Sequence, residues 1–105
     1  MDVKNKRVVV TGAASGIGKA LCEAFHEADA QSIVAVDMNL DGAQETADSV
    51  DGIAVQANVG NEKDIIDVIQ KADEYVGGTD IFCSNAGIGG VPGFLKLKHR
   101  IGRIF

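Results

Sequence analysis

The sequence lacks the features that anchor a chain in a membrane, export it or cross-link it. No apolar run approaches the roughly 18 residues of a transmembrane helix, and the basic N-terminal residues lead into a short β-like segment rather than the apolar core of a signal peptide. The two cysteines, Cys22 and Cys83, match no metal-binding spacing and form no disulfide framework. We therefore expect a cytoplasmic protein with both thiols buried.

Positive charge is also scarce over most of the chain. Residues 1–90 carry 15 acidic and six basic side chains, a net charge of −9, whereas the other four basic residues all lie within 91–105. An acidic body argues against nucleic-acid binding, because such binding depends on neutralising phosphates. The basic tail is short and has no repeated pattern, so we expect neither nucleic acid nor a membrane as a partner.

What the chain does contain is an alternation of short β-branched runs with helical patterns. This alternation is typical of βαβ units and a parallel sheet. Right-handed crossovers then predict a Rossmann-like α/β fold with strand order 3-2-1-4 and helices on both faces. We expect a dinucleotide-binding half-domain over residues 1–90 and an irregular tail over 91–105. The predicted strands are 7–10, 32–37, 53–57 and 80–84, and the predicted helices are about 16–28, 40–49 and 62–76.

The apolar positions of each predicted helix indicate which side faces the sheet. The expected inward residues are Ile17, Leu21, Ala24, Phe25 and Ala28 in the first helix, Ala43, Ala47 and Val50 along the second, and Ile65, Ile69, Ala72 and Val76 in the third, which Asn61 can cap. The fourth strand is a continuous apolar run, typical of a central strand. With four strands only, it would be an exposed sheet edge, which the apolar residues of the tail either fold back to cover or, as a disordered segment, leave bare. Those residues are Phe94, Leu95, Leu97, Ile101, Ile104 and Phe105.

The segment between the first strand and the first helix is rich in glycine. Gly12 allows a tight turn, Gly16 lets the backbone approach phosphates without a Cβ, and Gly18 lets the helix pack close to the sheet. The helix N-terminus supplies N–H donors and the positive end of a dipole, to which Thr11 and Ser15 can add hydroxyl donors. The segment predicts a pyrophosphate site, and a turn needed only for packing is the weaker alternative.

Asp37 closes the second predicted strand, 19 residues beyond Gly18. A carboxylate at this place can accept hydrogen bonds from both hydroxyls of an adenosine ribose and would repel a 2′-phosphate. Because Met38 follows rather than an arginine, the pattern favours NAD(H) over NADP(H) as the cofactor. A solvated aspartate at the start of a turn is the alternative.

Together with its flanking residues, the glycine segment resembles the Thr-Gly-x-x-x-Gly-Ile-Gly motif of the short-chain dehydrogenase/reductase family. Residues 84–87, Ser-Asn-Ala-Gly, resemble that family's Asn-Asn-Ala-Gly, and the resemblance covers about residues 3–91. It implies hydride transfer between NAD(H) and an alcohol or carbonyl in the complete enzyme. Asn58-Val59 stands where the family usually has Asp-Val beside the adenine, so Asn58 either contacts the adenine or simply caps the third strand.

These arguments define a set of predicted cofactor-binding residues. They are Gly12, Ser15, Gly16, Ile17, Gly18, Asp37, Met38, Asn58, Val59, Asn85, Ala86 and Gly87.

The catalytic motif that the resemblance implies, Tyr-x-x-x-Lys, does not occur in the sequence. The single tyrosine, Tyr75, is followed four places on by Thr79, so we predict no catalytic residue and no metal ligand. We expect a truncated chain that binds NAD(H) and is inactive alone, its missing part coming from another chain or a longer version. The alternative is a non-enzymatic protein that pairs through its exposed sheet edge with full-length relatives. The substrate and the oligomeric state stay open.

Overall fold

A computed structural model describes residues 3–14, 16–85 and 101–104, which form a five-stranded parallel sheet with helices on both faces. The strand order is β3-β2-β1-β4-β5. The predicted Rossmann-like fold and the order 3-2-1-4 are confirmed, and one further strand extends the sheet. The strands are β1 (Arg7–Thr11), β2 (Ser32–Asp37), β3 (Ile53–Gln56), β4 (Thr79–Cys83) and β5 (Ile101–Ile104), and the helices are α1 (Gly16–Glu27), α2 (Leu40–Ser49) and α3 (Glu62–Val76).

The central strands are buried on both sides, which explains their continuous apolar sequences. Successive strand residues point to opposite faces. Val9 and Phe82 therefore join a cluster that α3 covers, whereas Val8 and Val10 join a second cluster under α1 and α2. The predicted inward faces of α2 and α3 are confirmed, although Val76 is only half-buried.

The predicted inward face of α1 was wrong in part. Ile17, Ala24 and Ala28 are exposed, whereas Gly18, Cys22 and Phe25 form the buried stripe. Gly18 meets the loop that follows β1, so the stripe that contains Gly18 turns toward the sheet. Ile17 precedes it by about 100° of helical rotation and points away.

Both cysteines are free and buried, as expected. Burial raises the pKa of the Cys22 thiol to about 12 and also raises the pKa of Cys83. At neutral pH both groups are therefore protonated and behave as small apolar side chains.

β5 covers the strand that was expected to be an edge. It runs parallel to β4, with Thr79 opposite Ile101 and Ile81 opposite Arg103. The approach is close, because a Cβ on Gly102 would lie 2.5 Å from the carbonyl oxygen of Asp80. Of the two alternatives for the tail, the one in which it covers β4 is therefore confirmed for residues 101–104, which form a strand rather than irregular structure. The rest of that tail lies outside the described residues.

The helix ends follow from local side chains. Asn39 and Asn61 are N-caps, and the Oδ1 atom of Asn61 accepts a hydrogen bond from the Lys63 N–H at 2.9 Å, as predicted. α3 ends at Gly77, whose φ of 89° lies in the left-handed region.

In the described part of the chain, no helix has both the length and the apolar character to cross a membrane.

An ion pair between Arg7 and Asp80 closes the amino end of the sheet. The Arg7 Nε donates to the Asp80 carboxylate at 2.9 Å, its backbone N–H donates to the same oxygen at 2.8 Å, and its Nη1 donates to the Gly77 carbonyl at 2.7 Å. These bonds join the start of β1 to the start of β4 and the end of α3. The hydrogen bonds and charge of Arg7 lower the pKa of Asp80 to about 2.

We predict that the Asp80→Asn substitution lowers the free energy of unfolding by about 1–2 kcal/mol at pH 7, because it removes charge-assisted hydrogen bonds to Arg7. The pKa of Asp80 is depressed by folding, so this contribution is complete above about pH 4 and disappears as the pH falls toward 2. Denaturant unfolding of both proteins at pH 7 and pH 2 measures it.

The matched control is Asp67→Asn, since Asp67 forms an exposed i,i+4 pair with Lys71. That change should alter stability by no more than about 0.5 kcal/mol. A wild-type advantage over Asp80→Asn that persists undiminished at pH 2 would contradict the ionic explanation.

Candidate functional site

The candidate site lies at the carboxyl ends of β1, β2, β3 and β4. The chain winds from β1 to β3 on one side and places β4 on the other side of β1. Ligands of open α/β sheets bind at such a reversal, because the loops after the two central strands diverge there. Every predicted cofactor-binding residue that the structure describes lies at or just after one of these strand ends or in the first turn of α1.

The three glycines of the loop after β1 have different surroundings. A Cβ on Gly18 would overlap the carbonyl oxygen of Gly12, and a Cβ on Gly12 would lie 2.9 Å from the Nδ2 of Asn85. Gly16 has a φ of +60°, and among the described residues no atom outside its chain neighbours and its own helix backbone lies within 4 Å of a Cβ position. Gly12 and Gly18 are therefore required by packing, whereas Gly16 borders open space at the N-terminus of α1.

Hydrogen bonds from two other elements fix the loop. The Ala13 N–H donates to the Val36 carbonyl at 3.0 Å, and the buried Thr46 hydroxyl of α2 donates to the Ala13 carbonyl at 2.8 Å. The loop is therefore held rigidly beside β2, and its remaining N–H groups at the start of α1 have no partner within the helix.

The Thr11 hydroxyl has a structural role. It is buried, donates to the Cys83 carbonyl at 3.5 Å and accepts the Asn85 N–H at 3.0 Å. The expectation that Thr11 adds a donor for phosphate was therefore wrong, because its proton is directed toward β4. The bond to Asn85 instead places the segment after β4 against the glycine loop.

The Asp37 carboxylate lies between the glycine loop and the turn after β2. Its Oδ2 accepts the Ala14 N–H at 3.0 Å and its Oδ1 accepts the Asn39 N–H at 3.0 Å. Asp37 is half-buried, and a carboxylate that accepts these two bonds keeps further lone pairs. The N–H groups of Ala14 and Asn39 thus orient the negatively charged Asp37 carboxylate, which immediately precedes Met38.

A cavity of about 260 Å³ opens beside Asp37, between the ends of β2 and β3. Its lining residues are Met38, Gln56, Ala57, Asn58 and Asp64.

Asn58 closes a turn at the floor of this cavity. Its Oδ1 accepts the Gly60 N–H at 3.0 Å, and its own N–H donates to the Asp64 Oδ2 at 2.7 Å. Asn58 thus lines the cavity and holds the turn that follows β3. Contact with adenine stays a prediction.

The structure brings most of the predicted residues together. Met38 and Asn58 line the cavity, whereas the half-buried Val59 packs against the core beneath it. Ser15, Ala86 and Gly87 lie outside the described residues. The group at the glycine loop and the adjoining strand ends comprises Gly12, Gly16, Ile17, Gly18, Asp37 and Asn85.

Sequence reasoning missed two side chains that shape the site. Thr46 lies three residues after Ala43, on the inward face of α2, and that spacing could have identified it. Asp64 lies three residues after the cap Asn61, where an acidic side chain commonly reaches back toward the preceding backbone.

No catalytic group is visible among the described residues of the site. Tyr75 is exposed near the carboxyl end of α3, which is the end that adjoins Gly77 and the amino edge of the sheet. Within the ranges that the structure describes, no group of three His, Cys, Asp or Glu residues could hold a metal ion.

Comparison with known proteins identifies a family and several relatives. The model of the short chain dehydrogenase family matches residues 6–101. Glucose 1-dehydrogenase 2 of Bacillus subtilis is 32% identical over 95 residues, which cover 86% of this chain and 37% of that protein. A crystal structure of a hydroxysteroid dehydrogenase from Escherichia coli has a TM-score of 0.76 and 30% identity, over 81% of this chain and 38% of that one.

The chain is much shorter than these relatives. A short chain dehydrogenase of Claviceps purpurea is 32% identical over 88 residues, which cover 79% of this chain and 33% of that protein. The chain thus spans about a third of the length of these curated relatives.

We predict that Gly18→Ala destabilises the fold by about 3 kcal/mol or more, since its methyl group would overlap backbone that cannot move aside. Gly16→Ala meets open space and should cost only about 1 kcal/mol for its left-handed backbone. Thermal and denaturant unfolding measure both. Equal losses of stability would contradict the different roles assigned to the two glycines.

Proposed function

The chain belongs to the short-chain dehydrogenase family, and from that premise we propose that it binds NAD(H) across the carboxyl edge of its sheet. It would serve as the cofactor-binding part of an oxidoreductase that transfers hydride between NAD(H) and an alcohol or carbonyl. The observation that carries the proposal is the open space at Gly16, which borders a helix N-terminus in a loop otherwise packed tightly.

The pyrophosphate would lie at the start of α1. The missing Cβ of Gly16 leaves room for phosphate oxygens, and the first N–H groups of the helix are available as donors. The residue types fit an anion here, because α1 has no acidic side chain in its first turn. A carboxylate at that place would repel the phosphates.

The adenosine would lie toward β2 and β3. The Asp37 carboxylate is oriented by the N–H groups of Ala14 and Asn39, and it can accept hydrogen bonds from ribose hydroxyls. A fixed negative charge disfavours a 2′-phosphate, which supports NAD(H) over NADP(H).

Exposed apolar side chains mark the same edge. Ile17 is 69% exposed and Met38 is 63% exposed, and Leu40, the first residue of α2, is also exposed. Large apolar groups that face solvent around a polar loop are typical of a ligand-binding surface. We propose that Ile17 and Met38 lose much of this exposure when the dinucleotide binds.

We further propose that these 105 residues bind the cofactor without turning it over. When bound, NADH would donate a hydride to a carbonyl or NAD⁺ would accept one from an alcohol, and the residues present here would orient the dinucleotide. A proton donor or acceptor for the substrate would come from the Tyr-x-x-x-Lys motif of the family, which the sequence does not contain.

The alternative of a protein that pairs through a bare sheet edge loses its main support. That hypothesis depended on an exposed β4, which β5 covers. We retain an association with a full-length relative only as a means of completing the enzyme.

We propose that the protein resides in the reducing cytoplasm, because both cysteines are free, buried thiols.

Calorimetric titration tests the proposal. We predict that the wild-type chain binds NADH more tightly than NADPH, and that Asp37→Asn reduces this preference at least about tenfold, because the charge that repels the 2′-phosphate is gone. Circular dichroism verifies that each protein is folded.

The matched control for this titration is Asp41→Asn. Asp41 lies four residues further, in the first turn of α2, and removing its charge should leave the preference unchanged. Binding of neither dinucleotide to folded wild-type protein would refute the proposed function. An equal effect of both substitutions would refute the role of Asp37 alone.

A further inference from the structure

The cavity between the ends of β2 and β3 contains a carboxylate that the family resemblance does not explain. Asp64 lines this cavity of about 260 Å³ together with Met38 and Asn58. That volume is below the roughly 300–1,000 Å³ of a site that encloses a whole drug-sized ligand. It therefore suits one ring system of a larger molecule, and the dinucleotide proposed above supplies an adenine.

The side-chain oxygen of Asn58 already accepts one hydrogen bond. Its Oδ1 accepts the Gly60 N–H at 3.0 Å, and this bond fixes the orientation of the amide, since an N–H can donate only to the oxygen. This bond leaves Asn58 one further lone pair on a neutral oxygen, together with the Nδ2 donor. The exocyclic amine of adenine is a donor, so it would pair more strongly with a charged carboxylate than with this neutral acceptor.

Asp64 has the complementary chemistry. Its Oδ2 accepts the Asn58 N–H at 2.7 Å, which holds the carboxylate beside Asn58 in the cavity lining, and a carboxylate has acceptor capacity beyond that one bond. It is half-buried in the first turn of α3.

We propose that Asp64, rather than Asn58, is the specificity-determining acceptor for the exocyclic amine of adenine. This inference rests on the proposed NAD(H) binding and names the residue that selects the base. The Asp64 side chain performs two tasks: it orders the turn at Asn58 through Oδ2, and it recognises the amine through its remaining acceptor capacity.

The test compares NADH with the reduced form of nicotinamide hypoxanthine dinucleotide, in which a carbonyl replaces the amine at position 6 of the purine. Isothermal calorimetry should show that the wild-type chain prefers NADH by about tenfold, the effect of one hydrogen bond to a charged group. Asp64→Asn retains an oxygen for the Asn58 N–H and presents an amide donor instead. That variant should abolish or invert the preference.

Two further variants make the result specific. Asn58→Ala should weaken both dinucleotides about equally and keep the preference. Glu62→Gln removes a charge from the same helix turn, away from the cavity lining, and should leave both affinities unchanged. Matching circular dichroism spectra establish that all variants are folded.

The outcomes separate the two proposals. A preference for NADH that survives Asp64→Asn, or that is lost in Asn58→Ala, would overturn the role of Asp64 while leaving NAD(H) binding in place. Equal binding of both dinucleotides by the wild-type chain would do the same. Binding of neither would overturn this inference together with the proposed function.

Discussion

The architecture of the site depends on one contact that excludes a side chain. Gly18, in the first turn of α1, meets the carbonyl of Gly12 so closely that no Cβ fits between them. This contact brings the start of α1 to the end of β1. It also selects the face of α1 that is buried, the stripe of Gly18, Cys22 and Phe25. With the helix fixed at this point, Gly16 is left facing open space.

The two ends of the sheet have different roles: the amino end contributes to stability, and the carboxyl end forms the candidate site. At the amino end, the Arg7 guanidinium binds the Asp80 carboxylate and the Gly77 carbonyl, which joins β1, β4 and α3. At the carboxyl end, polar side chains hold loops rather than strands, as Asp37 does for Ala14 and as Asp64 does for Asn58. Both carboxylates keep lone pairs beyond these bonds, and both residues are only half-buried, so a ligand can reach them.

The sequence predicts the order of strands and helices well, because β-branched runs and helical periodicities report burial directly. It predicts less well where tertiary contacts decide. Ile17 fits an apolar periodicity but is exposed, since the packing of Gly18 sets the rotation of α1. β5 has four residues, including a glycine, and so short a strand shows no clear period.

In the candidate site too, sequence predicts the local features but not those that depend on tertiary contacts. Glycine spacing and the position of Asp37 identify the loop and the strand end from sequence alone, because both are local features. The roles of Thr46 and Asp64 depend on partners 33 and six residues away, respectively. Thr11 was expected to face a ligand, and only the placement of β4 reveals that its hydroxyl is directed inward.

The most direct test of the central claim, that a dinucleotide lies across the carboxyl edge of this sheet, is a map of amide chemical-shift changes in the ¹⁵N-labelled chain on addition of NADH. The account predicts changes at the start of α1, at the turn after β2 and around the cavity that contains Asn58. Amides at the amino edge near Arg7 and Gly77 should not shift. The largest changes at the amino edge, or none anywhere in folded protein, would contradict the account.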